Sequence, residues 1–196
     1  MQDIKRVCVY CASSNQVDRA YHDAAFSLGA LLARAGITVV YGGGAIGSMG
    51  RLADGVLSER GPIIGVLPNF MAQVEWGHKG LSELVLVDDM HGRKRIMLER
   101  ADAVIALPGG TGTFEELLEA ITLKRLGIYL NPIVLVNTNN FFRHFTQLLE
   151  VCVQERFMAP RHLSMWCTVD HPEDVLTAIS TSEPWDATAR DFAALR

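Results

Sequence analysis

Short runs of apolar, often β-branched residues alternate along the chain with longer stretches in which apolar residues recur every three or four positions. The short runs are typical of strands buried on both faces, and the longer stretches have the period of amphipathic helices. Predicted strands cover residues 7–10, 37–41, 63–67, 84–87, 103–107, 133–136 and 167–169. Predicted helices cover residues 19–35, 93–101, 113–126 and 141–155. A glycine loop followed by a helix is predicted for residues 42–60, and a capped helix follows residues 171–174.

Strands that alternate with helices at this spacing indicate right-handed βαβ units, and such units build a parallel sheet with helices on both faces. We therefore predict a single α/β domain, a Rossmann-like doubly wound sheet over residues 1–180. Residues 68–80 are expected to be irregular, and residues 181–196 to form a tail or a docking arm. No stretch is long or polar enough to serve as a linker between two domains.

The composition of the chain excludes some classes of function. The chain has 196 residues, of which 49% are hydrophobic, so it can bury one ordinary core. A net charge of −4 and the absence of a basic run argue against a nucleic acid polymer as partner.

No apolar run approaches a membrane span, and the first residues do not resemble a signal peptide, so we expect no membrane partner and a cytoplasmic location. Cys8 and Cys11 fall within and just after a predicted strand, which favours buried thiols over a redox or zinc site.

The first glycine loop, residues 42–50, follows the second predicted strand and opens a helix. Its G-x-G-x-x-G pattern is that of dinucleotide-binding loops, but the next strand ends without an acid that could hold a ribose hydroxyl, so NAD is disfavoured. Ser48 stands where a P-loop needs lysine. We expect either a phosphate cradle of backbone amides or a purely structural turn. Candidate binding residues are Gly43, Gly44, Gly47 and Met49.

The second glycine loop, residues 108–113, also follows a predicted strand and precedes a helix that begins with carboxylates. Two interpretations of Thr113 and Glu116 remain open. They fit a capping box at the helix start, and they also fit carboxylates that face a ribose hydroxyl, an attacking water or a developing cation. Upstream, Arg93, Lys94 and Arg95 crowd the start of another helix, where cations oppose the helix dipole, so they are candidates for an anion clamp. Together these features suggest a small phosphorylated ligand such as a nucleoside monophosphate.

In combination these motifs resemble the Lonely Guy family of cytokinin-activating phosphoribohydrolases, some members of which were labelled lysine decarboxylases. The resemblance rests on three motifs in this order and spacing, and it extends from about residue 7 to 157. The matching residues are Gly42-Gly43-Gly44 with Gly47, Met49 and Gly50; Met90-His91 with Arg93-Lys94; and Pro108-Gly109-Gly110 with Gly112, Thr113 and Glu116. Thr111 replaces a tyrosine common in plant members, and Gly92 replaces a larger polar residue, which affects the expected substrate preference more than the expected reaction.

The resemblance implies hydrolysis of the N-glycosidic bond of an N6-modified adenosine monophosphate to the free base and ribose 5-phosphate. It places the catalytic roles on Arg93 and Glu116. It places substrate binding on Glu75, Lys94, Gly109, Gly110, Thr111, Gly112, Thr113, Glu115 and Thr122. It also implies a homodimer or a larger homo-oligomer, for which apolar helices near residues 117–126 and 141–149 offer candidate faces.

The chemistry of the residues fits such a reaction. A carboxylate can stabilise an oxocarbenium-like state while it activates water, which suits Glu116, whereas Arg93 cannot release its proton at ordinary pH. We expect no metal and no cofactor, because paired histidine spacing and a Schiff-base context are both missing from the sequence. Two alternatives stay open: a general nucleoside monophosphate nucleosidase, and a carrier that binds a nucleotide or cofactor without reacting.

Overall fold

The computed structural model describes residues 4–72 and 77–192. Seven strands form one parallel sheet, as the alternating pattern predicts. The strands are β1 Arg6–Tyr10, β2 Thr38–Tyr41, β3 Ile63–Pro68, β4 Glu83–Val87, β5 Ala103–Ala106, β6 Ile133–Val136 and β7 Cys167–Val169. The helices are α1 Arg19–Arg34, α2 Gly47–Ser58, α3 Asn69–Ala72, α4 Met90–Glu99, α5 Thr111–Arg125, α6 Arg143–Gln154 and α7 Val175–Thr181, with short 3-10 turns between some of them.

The strand order is β4-β3-β2-β1-β5-β6-β7, so the chain winds outward twice from the middle of the sheet. It first moves from β1 to β4, then α4 carries it back across to β5 beside β1. The doubly wound α/β fold is thus confirmed. In such sheets the loops after the two central strands leave in opposite directions and open a crevice, which is where ligands of this fold class bind. Here the crevice lies between the carboxyl ends of β1 and β5.

Two apolar clusters, one on each face of the sheet, form the core. Alternate residues of a strand point to opposite faces, so Val7 and Val9 belong to one cluster, while Cys8 and Tyr10 belong to the other. Helices α1, α2 and α7 cover the first face, and α4, α5 and α6 cover the second. The central strands are buried on both faces and are therefore continuous apolar runs, whereas the edge strand β4 is largely exposed.

Helices α1 and α2 approach each other closely at two glycines. A Cβ at Gly29 would lie 2.3 Å from the carbonyl oxygen of Leu52, and a Cβ at Gly55 would lie 2.1 Å from that of Phe26. Each helix thus packs its backbone against the other through a position without a side chain. This contact holds α2, the helix that the first glycine loop opens, close against α1.

Helices α4 and α5 both begin earlier in the chain than the sequence pattern predicts, and this difference changes the interpretation of the site. Helix α4 begins at Met90, three residues earlier than predicted, because Asp89 caps it by accepting a hydrogen bond from the amide of Gly92 at 2.7 Å. Helix α5 begins at Thr111, two residues earlier than predicted. The segment predicted as irregular contains the single turn α3, and an isolated bridge joins Gly77 to Gly44.

The part of the predicted tail that is described packs against α5. The indole nitrogen of Trp185 donates to the carbonyl oxygen of Lys124 at 2.8 Å, and the guanidinium of Arg161 lies 5.0 Å from the centre of the indole ring. The last four residues of the predicted tail, 193–196, lie outside the described residues. Over residues 4–72 and 77–192, no helix combines the length and the hydropathy that crossing a membrane requires.

Candidate active site

The two glycine loops and the start of α4 meet at the carboxyl edge of the sheet. The first glycine loop follows β2, α4 begins just after β4, and the second glycine loop follows β5. All strands are parallel, so these segments leave the sheet on the same side. The residues that carried the resemblance are therefore brought to one region of the molecule.

A buried ion pair joins α4 to α5 at this edge. Nη1 of Arg93 lies 3.1 Å from Oε1 of Glu116, and the two residues are only 7% and 6% exposed. Nε of Arg93 donates to the carbonyl oxygen of Val66 on β3, also at 3.1 Å. The guanidinium is thus held between β3 and α5. Its bond to Glu116 also fixes the orientation of that carboxyl.

Burial raises the pKa of Glu116 from 4.5 to about 7, and the nearby charge of Glu115 acts in the same direction. Arg93 and Lys94 lower this pKa and offset part of the rise. The carboxyl therefore changes its protonation state near neutral pH. A pKa matched to the working pH is what a general base needs, because the group must be deprotonated to accept a proton and basic enough to keep it.

Lys94 is also buried and forms a second link between the same helices. Its Nζ is bonded to Glu115 and lies 3.0 Å from Oε2 of Glu119. Burial alone would lower the pKa of Lys94, but the bonds to Glu115 and Glu119 outweigh it and raise that pKa. Two of the three cations of the predicted anion clamp, Arg93 and Lys94, are thus paired with carboxylates, and the third, Arg95, is exposed. The anion clamp stays a prediction, and the structure adds what the sequence did not reveal, that α5 supplies carboxylate partners for Arg93 and Lys94.

The start of α5 offers unpaired backbone donors. Gly110 precedes the helix in an extended conformation and makes no side-chain capping bond. The amides of Thr111, Gly112 and Thr113 have no acceptor within the part of the chain that the structure describes. A Cβ at Gly110 or Gly112 would meet open space. These amides, at the positive end of the helix dipole, have the geometry that anions prefer.

The capping-box interpretation of Thr113 and Glu116 is wrong. Because α5 begins at Thr111, both residues lie inside the helix, and both are buried. The Thr113 side chain packs against Gly109. A Cβ at Gly109 would lie only 2.1 Å from Oγ1 of Thr113. Glu116, three residues further along the same helix face, reaches Arg93 instead of a backbone amide at the helix start.

The first glycine loop differs from the second, since two amides at the start of its helix are bonded to the loop after β1. The amide of Gly47 donates to Oδ1 of Asn15 at 2.7 Å, and the amide of Met49 donates to the carbonyl oxygen of Ala12 at 3.0 Å. Gly47 itself has a positive φ of 63° and packs against the backbone of the loop after β1. The protein thus occupies two of the donors that a phosphate cradle would use here, and the cradle stays a prediction.

The remaining residues of this loop pack inward. Gly42 lies beside the guanidinium of Arg93, and the Met49 side chain covers Gly42 and Gly44. The carbonyl oxygen of Gly43 accepts a hydrogen bond from the amide of His78 at 2.9 Å. Gly43, Gly44, Gly47 and Met49 therefore support the wall of the site through contacts within the chain.

One expected binding residue lies away from the second glycine loop, and another falls outside the described residues. Thr122 is exposed on α5, eleven residues after Thr111, which is about 16 Å along the helix axis. It does not meet the amides of the second glycine loop within one chain. Glu75 lies outside the described residues. Among the residues that are described, no group of three histidine, cysteine or acidic side chains is arranged to hold a metal ion.

Sequence reasoning missed the loop after β1. Ala12 and Asn15 bond to the start of α2, and this loop borders the crevice between β1 and β5. The polar run from Ser13 to Gln16 directly after a strand was a usable signal. Its importance depends on β1 being central, which only the strand order reveals.

The fold and the site define a doubly wound α/β protein with a buried Arg–Glu pair beside an open helix N-terminus. A family model described as "Possible lysine decarboxylase" matches residues 49–179. The cytokinin riboside 5'-monophosphate phosphoribohydrolase LOG2 of Arabidopsis thaliana is 41% identical over 155 residues, 79% of this chain and 73% of that protein. The enzyme of the same name from Rhodococcoides fascians is 39% identical over 176 residues, 89% of each chain. The chain belongs to this family, as its motifs predicted.

Two solved structures illustrate the similarity in fold. The X-ray structure of TM1055, a structural genomics target, has a TM-score of 0.71 and 25% identity, covering 90% of this chain and 98% of that one. The molybdenum cofactor binding protein of Rippkaea orientalis has a TM-score of 0.68 at 21% identity, over 92% of this chain and 98% of the other. At that identity the second likeness establishes the fold alone.

The raised pKa of Glu116 makes a prediction about stability. In the folded protein, ionisation of this carboxyl is less favourable than in the unfolded chain, so its contribution is largest below about pH 4.5 and is lost as the pH rises to about 7. Relative to Glu116→Gln, the wild-type free energy of unfolding should fall by about 3 kcal/mol over this interval. Urea unfolding at a series of pH values measures it.

Glu150→Gln, which removes an exposed carboxyl on α6, controls for the loss of one negative charge. Parallel stability curves for wild type and Glu116→Gln between pH 4.5 and 7 would contradict the assignment of a raised pKa.

Proposed function

We propose that this protein hydrolyses the N-glycosidic bond of adenosine 5'-monophosphates, with N6-modified nucleotides as substrates, and releases the free base and ribose 5-phosphate. The observation that carries the proposal is the buried pair of Arg93 on α4 and Glu116 on α5, 3.1 Å apart, together with the open amides of Thr111–Thr113 at the start of α5. The phosphoribohydrolases to which the chain is similar support the same reaction.

The 5'-phosphate is assigned to the amides of Thr111, Gly112 and Thr113. Their dipole-enhanced donors favour a dianion, and the glycines leave room for its oxygens. The cations of the site are neutralised by carboxylates, so they add little charge attraction for the phosphate. Glu115, exposed next to this helix start, is assigned to the ribose hydroxyls, because a carboxylate accepts hydrogen bonds from them and would repel the phosphate.

Glu116 is assigned to the bond that breaks. In its ionised form it stabilises the positive charge that develops on the ribose, and it accepts a proton from the attacking water. The water oxygen bonds to C1' while the bond from C1' to N9 of the base breaks. The departing base takes up one proton, and ribose 5-phosphate keeps the new hydroxyl. Arg93 keeps its proton throughout, holds the Glu116 carboxyl in place, and can donate hydrogen bonds to the leaving base.

A carrier without catalysis and a nucleosidase for unmodified monophosphates are the competing functions. A carrier has no need for a carboxyl that is buried at an energetic cost and held by arginine, and this observation favours an enzyme. The residues do not select between modified and unmodified bases, so relative turnover on the two decides between the proposed enzyme and a general nucleosidase.

The decisive assay mixes purified protein with N6-isopentenyl-AMP and, separately, with AMP, and measures free base by chromatography. We expect release from the modified nucleotide. Glu116→Gln should retain nucleotide binding, measured by calorimetry, and lose turnover by at least about 100-fold, the usual effect of removing a general base. If Glu116→Gln has wild-type turnover, Glu116 is not catalytic, and if the wild type releases no base from either nucleotide, the proposed function fails.

The assigned phosphate site can be tested by removing a single amide. Proline at the first position of a helix is compatible with helix geometry, and Gly110 before it is extended, as the residue before a proline must be. Thr111→Pro therefore deletes one donor and keeps α5. We expect the KM for the nucleotide to rise about ten- to a hundredfold, as expected for the loss of one hydrogen bond to a charged group, with kcat near that of the wild type.

Thr111→Ala is the matched control, since it removes the side chain and keeps the amide. Equal KM values for Thr111→Pro and Thr111→Ala would show that the phosphate does not use this donor.

We also propose that the protein forms a homo-oligomer through α5, while its cytoplasmic location remains a prediction. The outer face of α5 carries Leu118 and Leu126, which are 41% and 42% exposed, and Ile128 follows at 68%. Thr122 lies on the same face, between the two leucines. If Thr122 binds nucleotide, as the resemblance implies, it serves the site of a second chain, because it is about 16 Å from the helix start of its own chain.

Leu118→Asp places a charge on this face and should convert the oligomer to a monomer, since an unpaired buried charge opposes association. Light scattering after gel filtration measures the mass. Leu148→Asp, at a 61% exposed position on α6, is the comparison and should leave the mass unchanged. A wild-type mass of 21.6 kDa at micromolar concentration would contradict the proposed assembly.

A further inference from the structure

The guanidinium of Arg93 lies in a socket formed by Val66, Glu116 and Gly42, and the proposed reaction does not by itself account for Gly42. Its Nε donates to Val66 and its Nη1 to Glu116, so its plane is fixed by β3 on one side and by α5 on another. The remaining nitrogen, Nη2, lies against Gly42 at the end of β2. A Cβ at Gly42 would be 2.0 Å from Nη2 and 3.2 Å from Cζ.

These distances leave no room for a side chain at Gly42. Cβ atoms essentially never come within 3.0 Å of such neighbours, so any larger residue must displace Arg93. The Met49 sulfur, 3.1 Å from the same Cβ position, takes up further space there. The arginine cannot retreat without breaking its bond to Val66 or its bond to Glu116, and both residues of the ion pair are buried.

We infer that Gly42 is a positioning residue for the proposed hydrolysis: the missing side chain gives the Arg93 guanidinium the space in which it bonds to Val66 and Glu116 together. Gly42 acts through Arg93 and does not itself contact the substrate. The inference rests on the proposed function for its kinetic consequence, but the contact with Arg93 has consequences that need no substrate.

Gly42→Ala should lower kcat by about 100-fold, the usual effect of a displacement of about 1 Å in an active site. The KM for nucleotide should change little, because the assigned phosphate donors lie on α5. The acid limb of the pH–rate profile should move to higher pH, since Arg93 favours the ionised form of Glu116 and its displacement leaves burial less opposed. A general loss of packing would lower the fraction of folded enzyme without moving that limb.

The other charged or titratable groups that act on Glu116 stay in place in this variant, so the shift reports on Arg93. They are Lys94 on α4, Glu115 and Glu119 on α5, and Cys8, Tyr10 and Cys11 on or just after β1.

Gly44→Ala is the matched control in the same loop. A Cβ there would be 2.9 Å from the Met49 methyl group, which is the flexible end of a side chain, and its three nearest neighbours are all atoms of Met49. We expect a much smaller loss of kcat and no movement of the acid limb. Titration of the Glu116 carboxyl, followed by NMR with 13C-labelled glutamate and assigned by its absence in Glu116→Gln, gives the same comparison without substrate. If the wild type hydrolyses no nucleotide, the proposed function fails, and this titration still tests the socket.

A double variant keeps the test valid if Gly42→Ala does not fold. Lysine lacks the second terminal nitrogen, so Arg93→Lys empties the space that the new methyl group needs. Gly42→Ala should therefore cost far less, in stability by denaturant unfolding and in kcat, in the Arg93→Lys background than in the wild type. Equal costs in both backgrounds, or equal Glu116 titrations in Gly42→Ala and Gly44→Ala, would overturn the inference.

Discussion

The buried bond between Arg93 and Glu116 is the constraint on which the site depends. An isolated charge in the interior is costly, and two opposite charges offset that cost only when their geometry is good and their other hydrogen-bonding positions are used. The fold meets this condition by supplying a carbonyl from β3, space at the end of β2, and a carboxylate from α5. Four segments, namely β3, the end of β2, α4 and α5, must therefore meet correctly for one ion pair to form.

This constraint also bears on the proposed phosphate site of an acidic protein. Arg93 and Lys94 are directed to Glu115, Glu116 and Glu119, so the cations hold α4 against α5 instead of facing solvent. The proposed attraction for a phosphate then comes from backbone amides at the start of α5, which carry no formal charge. A site built in this way suits one small anion and offers little to a polyanion, which agrees with the net charge of −4.

The sequence predicted the strands, the parallel sheet and the edge at which the site lies, because strands buried on both faces leave continuous apolar runs. It also predicted Arg93 and Glu116 as partners in one site, although only through the resemblance to a family. It did not predict which glycine loop is open. That depends on Asn15 and Ala12, which reach the amides of α2 only because β1 lies beside β2 in the sheet. Thr113 and Glu116 were ambiguous because helix ends are the least determined part of a local pattern, and a start two residues earlier turned an apparent cap into a buried pair.

Glycine serves three physical purposes in this chain, and the sequence pattern alone does not separate them. Gly29 and Gly55 let two helix backbones touch, Gly110 and Gly112 leave open space at a helix start, and Gly42 gives room to a guanidinium. In each case the question is which atom would meet a Cβ: a neighbouring backbone, nothing, or a charged side chain. Because only the third answer couples a glycine to an ionisable carboxyl, the end of β2 influences the chemistry of the site without contributing a reactive group.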